Sequence, residues 1–247
     1  MFGLRSKMKD FLVHIFDPVC CQTELNELKV LLDNQTELSE QNDILPFFKK
    51  RSHLSAFLGS YFIHLEEFDR LAYEYSILGD FISDLAVGDS KTNTYCFVEF
   101  EDAMPTSIFK KNPNKTTPEW SGRFEHGFSQ IIDWFWKLDD MKNTTAFQNQ
   151  FGVGYIRYSG LLVLGRKSDL SRREQTRLKW RLEKVQVDSK PIIYVTFDEL
   201  YEDLNHRLQN YRRYSAKGIQ PLLETDLSST NILPTKPFTP EQKKLFK

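Results

Sequence analysis

Apolar positions along the chain change period several times, and each change marks an element. Residues 1–35 read as helical: an apolar FLVHIF at 11–16 is broken by Pro18, after which Leu25, Leu28, Leu31 and Leu32 recur at helical spacing. Ser39 and Glu40 open a second helical unit, SEQNDILPFFKKRSHLSAFLG, ending at Gly59. From Leu65 to Gly79 the period shifts from helix to strand, with AYEYSIL as a first strand. Two short apolar runs, LAV and YCFV, then flank the polar turn GDSKTN in the layout of a β-hairpin. A polar, proline-containing connection over 102–122 carries Lys110, Lys111 and Lys115. Phe124, Phe128, Ile131, Phe135 and Leu138 mark the buried stripe of a helix over 124–138. GLLVLGR (160–166) is continuously apolar, as a strand covered on both faces should be. A basic helix over 171–185, a strand PIIYVTF (191–197) and a helix over 198–214 complete the pattern.

Helix, hairpin, helix, strand, helix, strand, helix is the order of an α/β fold with a mixed central sheet flanked by helices. The domain reading is a helical N-terminal extension over 1–38, a main domain over 39–215, and a tail over 216–247. In that tail Pro, Ser, Thr and Lys leave little to bury, so it is expected to be flexible. Composition leaves this picture unchanged: of 247 residues, 40% are hydrophobic and 27% charged, and 20 phenylalanines imply an aromatic core. A net charge of −1 gives no global field toward nucleic acid, so such binding must rest on a local patch. Basic residues do bunch at Arg166, Lys167, Arg172, Arg173, Arg177, Lys179 and Arg181, of which Arg166, Lys167, Arg172, Arg173 and Arg177 are read as DNA-backbone contacts. Cys20, Cys21 and Cys96 lack metal or redox spacing and read as reduced thiols. With no leader-like or membrane-spanning apolar run, the expectation is a soluble, cytoplasmic protein with no membrane partner.

The hairpin carries the chemistry. SDLAVGDSKTNTYCFVEFE opens on Asp84 and closes on Glu99 and Glu101, which share a strand face at i, i+2. Paired side by side, the strands bring Asp84 near Glu99, and three carboxylates so gathered repel unless a cation sits between them. Hard divalent cations take such ligands, Mg²⁺ or Mn²⁺ here, and serve phosphodiester cleavage. On helix 124–138 a second stripe, His126, Gln130, Trp134 and Lys137, offers an amide to orient water or phosphate and a lysine to stabilise charge. His126 reads as a helix-start or packing residue, and Trp134 and Trp136 as core or shoulder residues. Asp80 is the rival to Asp84. Glu40 reads as a dipole partner, and Asp198 as the cap of the last helix.

This order of acid, hairpin, E-x-x and glutamine-bearing helix resembles the PD-(D/E)XK nuclease fold, and its helix the Q-x-x-x-Y motif of the RecB-like branch. FISDLAVGD, YCFVEFEDA, GRFEHGFSQIIDWFWKL, GLLVLGR and VTFDEL together resemble the Shedu family (the DUF4263 domain) over roughly residues 39–210. The resemblance implies a restriction-endonuclease-like core and a metal-dependent DNA endonuclease or nickase of bacterial anti-phage defence. Asp84 and Glu99 would hold metal, Glu101 would bind metal or act as base, and Gln130 would position phosphate or water. The family pattern carries lysine where this chain has Glu101. Some restriction endonucleases of that fold carry E-x-E, and Lys137, or less readily Lys110 or Lys111, is the candidate to supply the charge. The same departure keeps open a catalytically silent nucleic-acid-binding or protein-interaction module, and a phosphodiesterase of smaller nucleotides is a third reading. Assembly into a homo-oligomer follows from the resemblance alone, with residues 1–35 the place to look for it.

Overall fold

The structure, a computed structural model, describes residues 10–187 and 190–216. The flexible tail expected from residue 216 thus lies, beyond Ala216, outside the described residues. In chain order, strand β1 (Leu12–Val13) precedes helix α1 (Pro18–Asn34). A π-helical turn (Glu40–Ile44) leads into α2 (Leu45–Lys49), α3 (Ser52–Phe57) and a 3-10 turn (Leu58–Tyr61). Strands β2 (Arg70–Ile77), β3 (Phe81–Asp89) and β4 (Thr94–Phe100) form a meander, followed by a small ribbon, β5 (Phe109–Lys110) with β6 (Glu119–Trp120). Helices α4 (Gly122–Asp140) and α5 (Thr145–Phe151) precede β7 (Arg157–Val163). Then come α6 (Arg172–Lys184), a second ribbon of β8 (Gln186–Val187) with β9 (Lys190–Pro191), β10 (Ile193–Val195) and α7 (Phe197–Ala216).

The main sheet runs β1-β2-β3-β4-β7-β10. Its first four strands pair antiparallel, and β7 and β10 join parallel, so the sheet is mixed and the fold α/β. Strand β4 is buried throughout because both its faces are covered. Cys96, Val98 and Phe100 enter the core shared with α1, α3 and α7, while Tyr95 and Phe97 enter the core under α4 and α5. The same alternation continues into the acids: Glu99 lies on the Phe97 face, paired in register with Leu162 of β7. Helix α4 is the best-predicted element, since its whole stripe from Phe124 to Leu138 is buried. Ser121 caps it, accepting the Phe124 N–H at 2.9 Å.

Five sequence expectations change. FLVHIF is not helical: Leu12 and Val13 pair with Leu71 and Arg70 at the sheet edge. Pro18 starts a helix rather than ending one, at a first-turn position that needs no N–H, with Asp17 accepting from Val19 at 2.7 Å and Cys20 at 3.2 Å. The single helix drawn over 39–59 is four short helical pieces, with Ser55 donating to the Phe48 carbonyl at 2.8 Å across the break between α2 and α3. The last helix is capped by Thr196, which accepts from the Glu199 N–H at 3.3 Å, and not by Asp198. Trp136, expected in the core or at its shoulder, is exposed, whereas Trp134 is fully buried.

Candidate functional site

Three carboxylates meet where β3 and β4 run under the first half of α4. The Leu85–Val98 register sets Asp84 beside the end of β4, and its Oδ2 accepts the Phe100 N–H at 2.8 Å. Glu99 is buried, and its Oε1 accepts a hydrogen bond from Gln130 Nε2 of α4. Glu101, also buried, continues the β4–β7 ladder by donating its N–H to the Val163 carbonyl at 3.0 Å. Its Oε1 lies 2.8 Å from His126 Nδ1, and its Oε2 lies 3.1 Å from Arg123 Nη1. The same Nη1 donates to Glu40 Oε2 at 2.9 Å, and Nε stands 3.4 Å from Asp102 Oδ2. One guanidinium thus gathers three carboxylates at the mouth of the site.

Gly127 permits this closeness. A Cβ there would stand 2.6 Å from Leu162 Cδ1 and 3.2 Å from Glu101 Cγ, so a larger residue would force the buried Leu162 side chain or the helix to shift. Backbone strain marks the other side. Glu74 in mid-β2 has φ 49°, lying between the Tyr73–Leu85 and Tyr75–Ser83 pairs and so opposite Asp84. Its carboxylate pairs with Lys49 of α2 at 2.7 Å. A left-handed residue inside a strand costs on the order of 1 kcal/mol and persists only where its surroundings impose it.

Electrostatics separates these acids from ordinary buried ones. Burial pushes the Glu99 carboxyl up to about 10, aided by the charges of Asp84, Glu101 and Glu40 and opposed by the Gln130 bond. Burial likewise pushes Asp84 up to about 7; the Phe100 N–H and Lys49 pull it down, and Glu40 and Glu101 push with burial. Glu101 is raised by burial against its bonds to His126 and Arg123. Asp89, at the far end of the same strand, is a useful contrast. Burial raises it too, but N–H groups of Glu66, Glu67, Lys91 and Thr92 donate to its carboxylate and hold it below its ordinary range. Asp89 is a satisfied structural anion. Asp84 and Glu99 are acids short of positive charge, and so hold their protons to higher pH.

The donor set suits a divalent cation. Glu99, Glu101 and His126 each offer a ligand atom, all within 4.8 Å of one another. Ligands at about 2.0–2.6 Å from a shared ion span that distance, and an imidazole among oxygens admits first-row transition ions as well as Mg²⁺. Asp84 stands outside this group of three and bears on it through charge.

Of the residues singled out from sequence, Asp84, Glu99, Glu101 and Gln130 come together. Lys137 does not join them: it lies two turns further along α4, about 10 Å on by helical rise, and pairs with Asp80 in the exposed β2–β3 turn. Asp80, the rival to Asp84, is thereby accounted for. Among the basic residues, Arg166 is buried and donates to the Leu32 carbonyl at 3.0 Å, and also to that of Gln35. Lys167 pairs with Glu199 at 3.0 Å, Arg177 packs over Phe109 and Trp120, and Arg172 and Arg173 are exposed. The sequence reading missed Arg123, set His126 aside for want of a neighbouring ligand, and took Glu40 as a dipole partner. Arg123, Gly127 and Gln130 follow i, i+4, i+7, a helical spacing that held the signal. Lys49 and Glu40 come from a segment with no such pattern.

A three-layer α/β protein with a mixed sheet and a buried acid cluster beneath a glutamine-bearing helix is the class these features define. The family model described as Shedu protein SduA, C-terminal matches residues 37–201, and the chain belongs to that family. Comparison with curated proteins finds no match. Among the described residues, no helix is long and apolar enough to cross a membrane.

Proposed function

We propose that this protein is a divalent-cation-dependent nuclease with a PD-(D/E)XK-type core that hydrolyses DNA phosphodiesters in anti-phage defence. The observation that carries this reading is Glu99, a buried carboxyl whose neighbours Asp84 and Glu101 add negative charge where a positive one is wanted. Family membership supports the biological role and the choice of DNA. Glu99 and Glu101, with His126 at the rim and Asp84 behind them, would hold Mg²⁺ or Mn²⁺. Such an ion neutralises the acids, polarises a phosphoryl oxygen and lowers the pKa of water. Gln130, anchored on Glu99, fixes an amide beside the reacting phosphate. His126, its ring largely exposed, would offer the ion a nitrogen ligand at the rim of the site. Arg123, half-exposed and beside Glu101, supplies the positive charge that the family pattern gives to lysine, and its fork suits a phosphate. Lys49, close enough to lower the Asp84 pKa, is a second cation at the site.

Nicking of supercoiled plasmid with Mg²⁺ or Mn²⁺ tests this. Asp84→Asn and Glu99→Gln should each slow cutting by about a hundredfold or more while still unfolding cooperatively and no lower than the parent, and a chelator should abolish it. Variants that cut as the parent does overturn the assignment. A second reading, a DNA-binding module without catalysis, draws on the closed pairing of Glu101 with Arg123. It expects DNA affinity with no metal-dependent cleavage in the parent.

A further inference from the structure

The loop 105–118 and helix α6 enclose a groove of about 1600 Å³, beyond the roughly 300–1,000 Å³ of small-molecule sites. Lys110, Lys111 and Lys115 from the loop and Arg173 and Arg177 from the helix line it, against two acids, Asp169 and Glu174. Glu174 is committed to the start of α6, accepting the Ser171 N–H at 2.8 Å in a capping box. Arg177 braces the wall: its guanidinium lies 4.7 Å from the Trp120 ring centre and donates to the Pro118 carbonyl. Lys111 and Arg173, by contrast, are exposed and make no ion pair among the described residues. Trp180 borders the same groove with an indole that is 60% exposed, on a helix whose other large apolar residues, Leu178 and Leu182, turn inward. The wall begins at Pro105, four residues beyond Glu101 on the same continuous stretch of chain. Arg181 of α6 pairs with Glu125 of α4 at 2.7 Å, fixing the groove against the helix that carries His126 and Gln130.

We propose that this groove takes a single-stranded nucleic-acid segment, with phosphates on Lys110, Lys111 and Arg173 and a base stacked on Trp180. Cations interleaved with an open aromatic are the means by which proteins hold single strands, whereas a duplex backbone needs no stacking platform. The inference rests on the nuclease reading and sharpens its substrate: a strand presented unpaired beside the acid cluster.

Binding measured in chelator separates the two claims, since no cleavage is needed. A short labelled oligothymidylate should bind the parent with quenching of tryptophan fluorescence. In Trp180→Leu the quench should vanish and affinity should drop about tenfold, with melting unchanged. Lys111→Gln and Arg173→Gln should each lower the slope of log affinity against log salt by roughly 0.7. Unchanged binding by Trp180→Leu, competition by duplex as strong as by single strand, or no binding by the parent overturns the groove. Loss of cutting in Glu99→Gln with binding retained supports both claims, and cutting by the parent with Trp180→Leu binding unaltered removes only the groove.

Discussion

Glu99 is a single carboxyl that costs the fold stability so that the site can exist. Its folded pKa stands far above that of an unfolded glutamate, so the unfolded chain loses its proton first as pH rises. Between the ordinary carboxylate range and about 10, the folded state therefore binds more protons and stability falls with increasing pH; Asp84 adds the same trend up to about 7. Glu99→Gln removes the titrating group while keeping an acceptor for Gln130. It should melt higher than the parent at pH 8 in chelator, with a gain that shrinks toward pH 5. Thermal melts across that range check this, and a gain independent of pH would refute the buried-charge account. These acids were legible in sequence because strand alternation alone sets Glu99 and Glu101 on one face and the hairpin brings Asp84 across. Their helix-borne partners were less so, since whether His126 or Lys137 faces the acids depends on where α4 crosses the sheet.

At the scale of elements, periodicity succeeded where one face of an element is buried and failed where length decides. Helix α4, nineteen residues long, shows its stripe from Phe124 to Leu138, whereas FLVHIF is too short for its period to separate helix from strand. The ribbon of β5 and β6 was unreadable as structure because lysine, proline and threonine surround it, yet the Phe109 and Trp120 rings pack there in a tilted pair with centres 4.5 Å apart. The α4–α6 junction depends on one side chain. Arg181 lies 4.7 Å from the ring centre of Trp120 and 4.8 Å from those of Phe124 and Phe128, and it forms a two-point pair with Glu125 at 2.7 and 2.9 Å. Arg181→Ala should cost about 2 kcal/mol through lost stacking and pairing, and Arg181→Lys should recover less than half of it because an ammonium has no planar fork. Urea titration measures both; full rescue by lysine would mean that charge alone holds the junction.

At the scale of the molecule, the mixed sheet divides two cores, one under α1, α3 and α7 and the other under α4 and α5, and the acid cluster sits on the second side. α1 shares the first core through Cys21, Leu25, Leu28 and Leu32, so the segment before the family match is packed into the same body. A site placed at a sheet face inherits the rigidity of both layers, which holds mutually repelling acids together until a cation joins them. Binding of such a cation must expel the proton that Glu99 keeps near neutral pH. The most direct test is calorimetric titration of Mn²⁺ at pH 7 in two buffers of different ionisation enthalpy. The account predicts binding by the parent with release of protons, and at least tenfold weaker binding with little proton release in Glu99→Gln. Mn²⁺ binding to Glu99→Gln that matches the parent in affinity and proton release would contradict it.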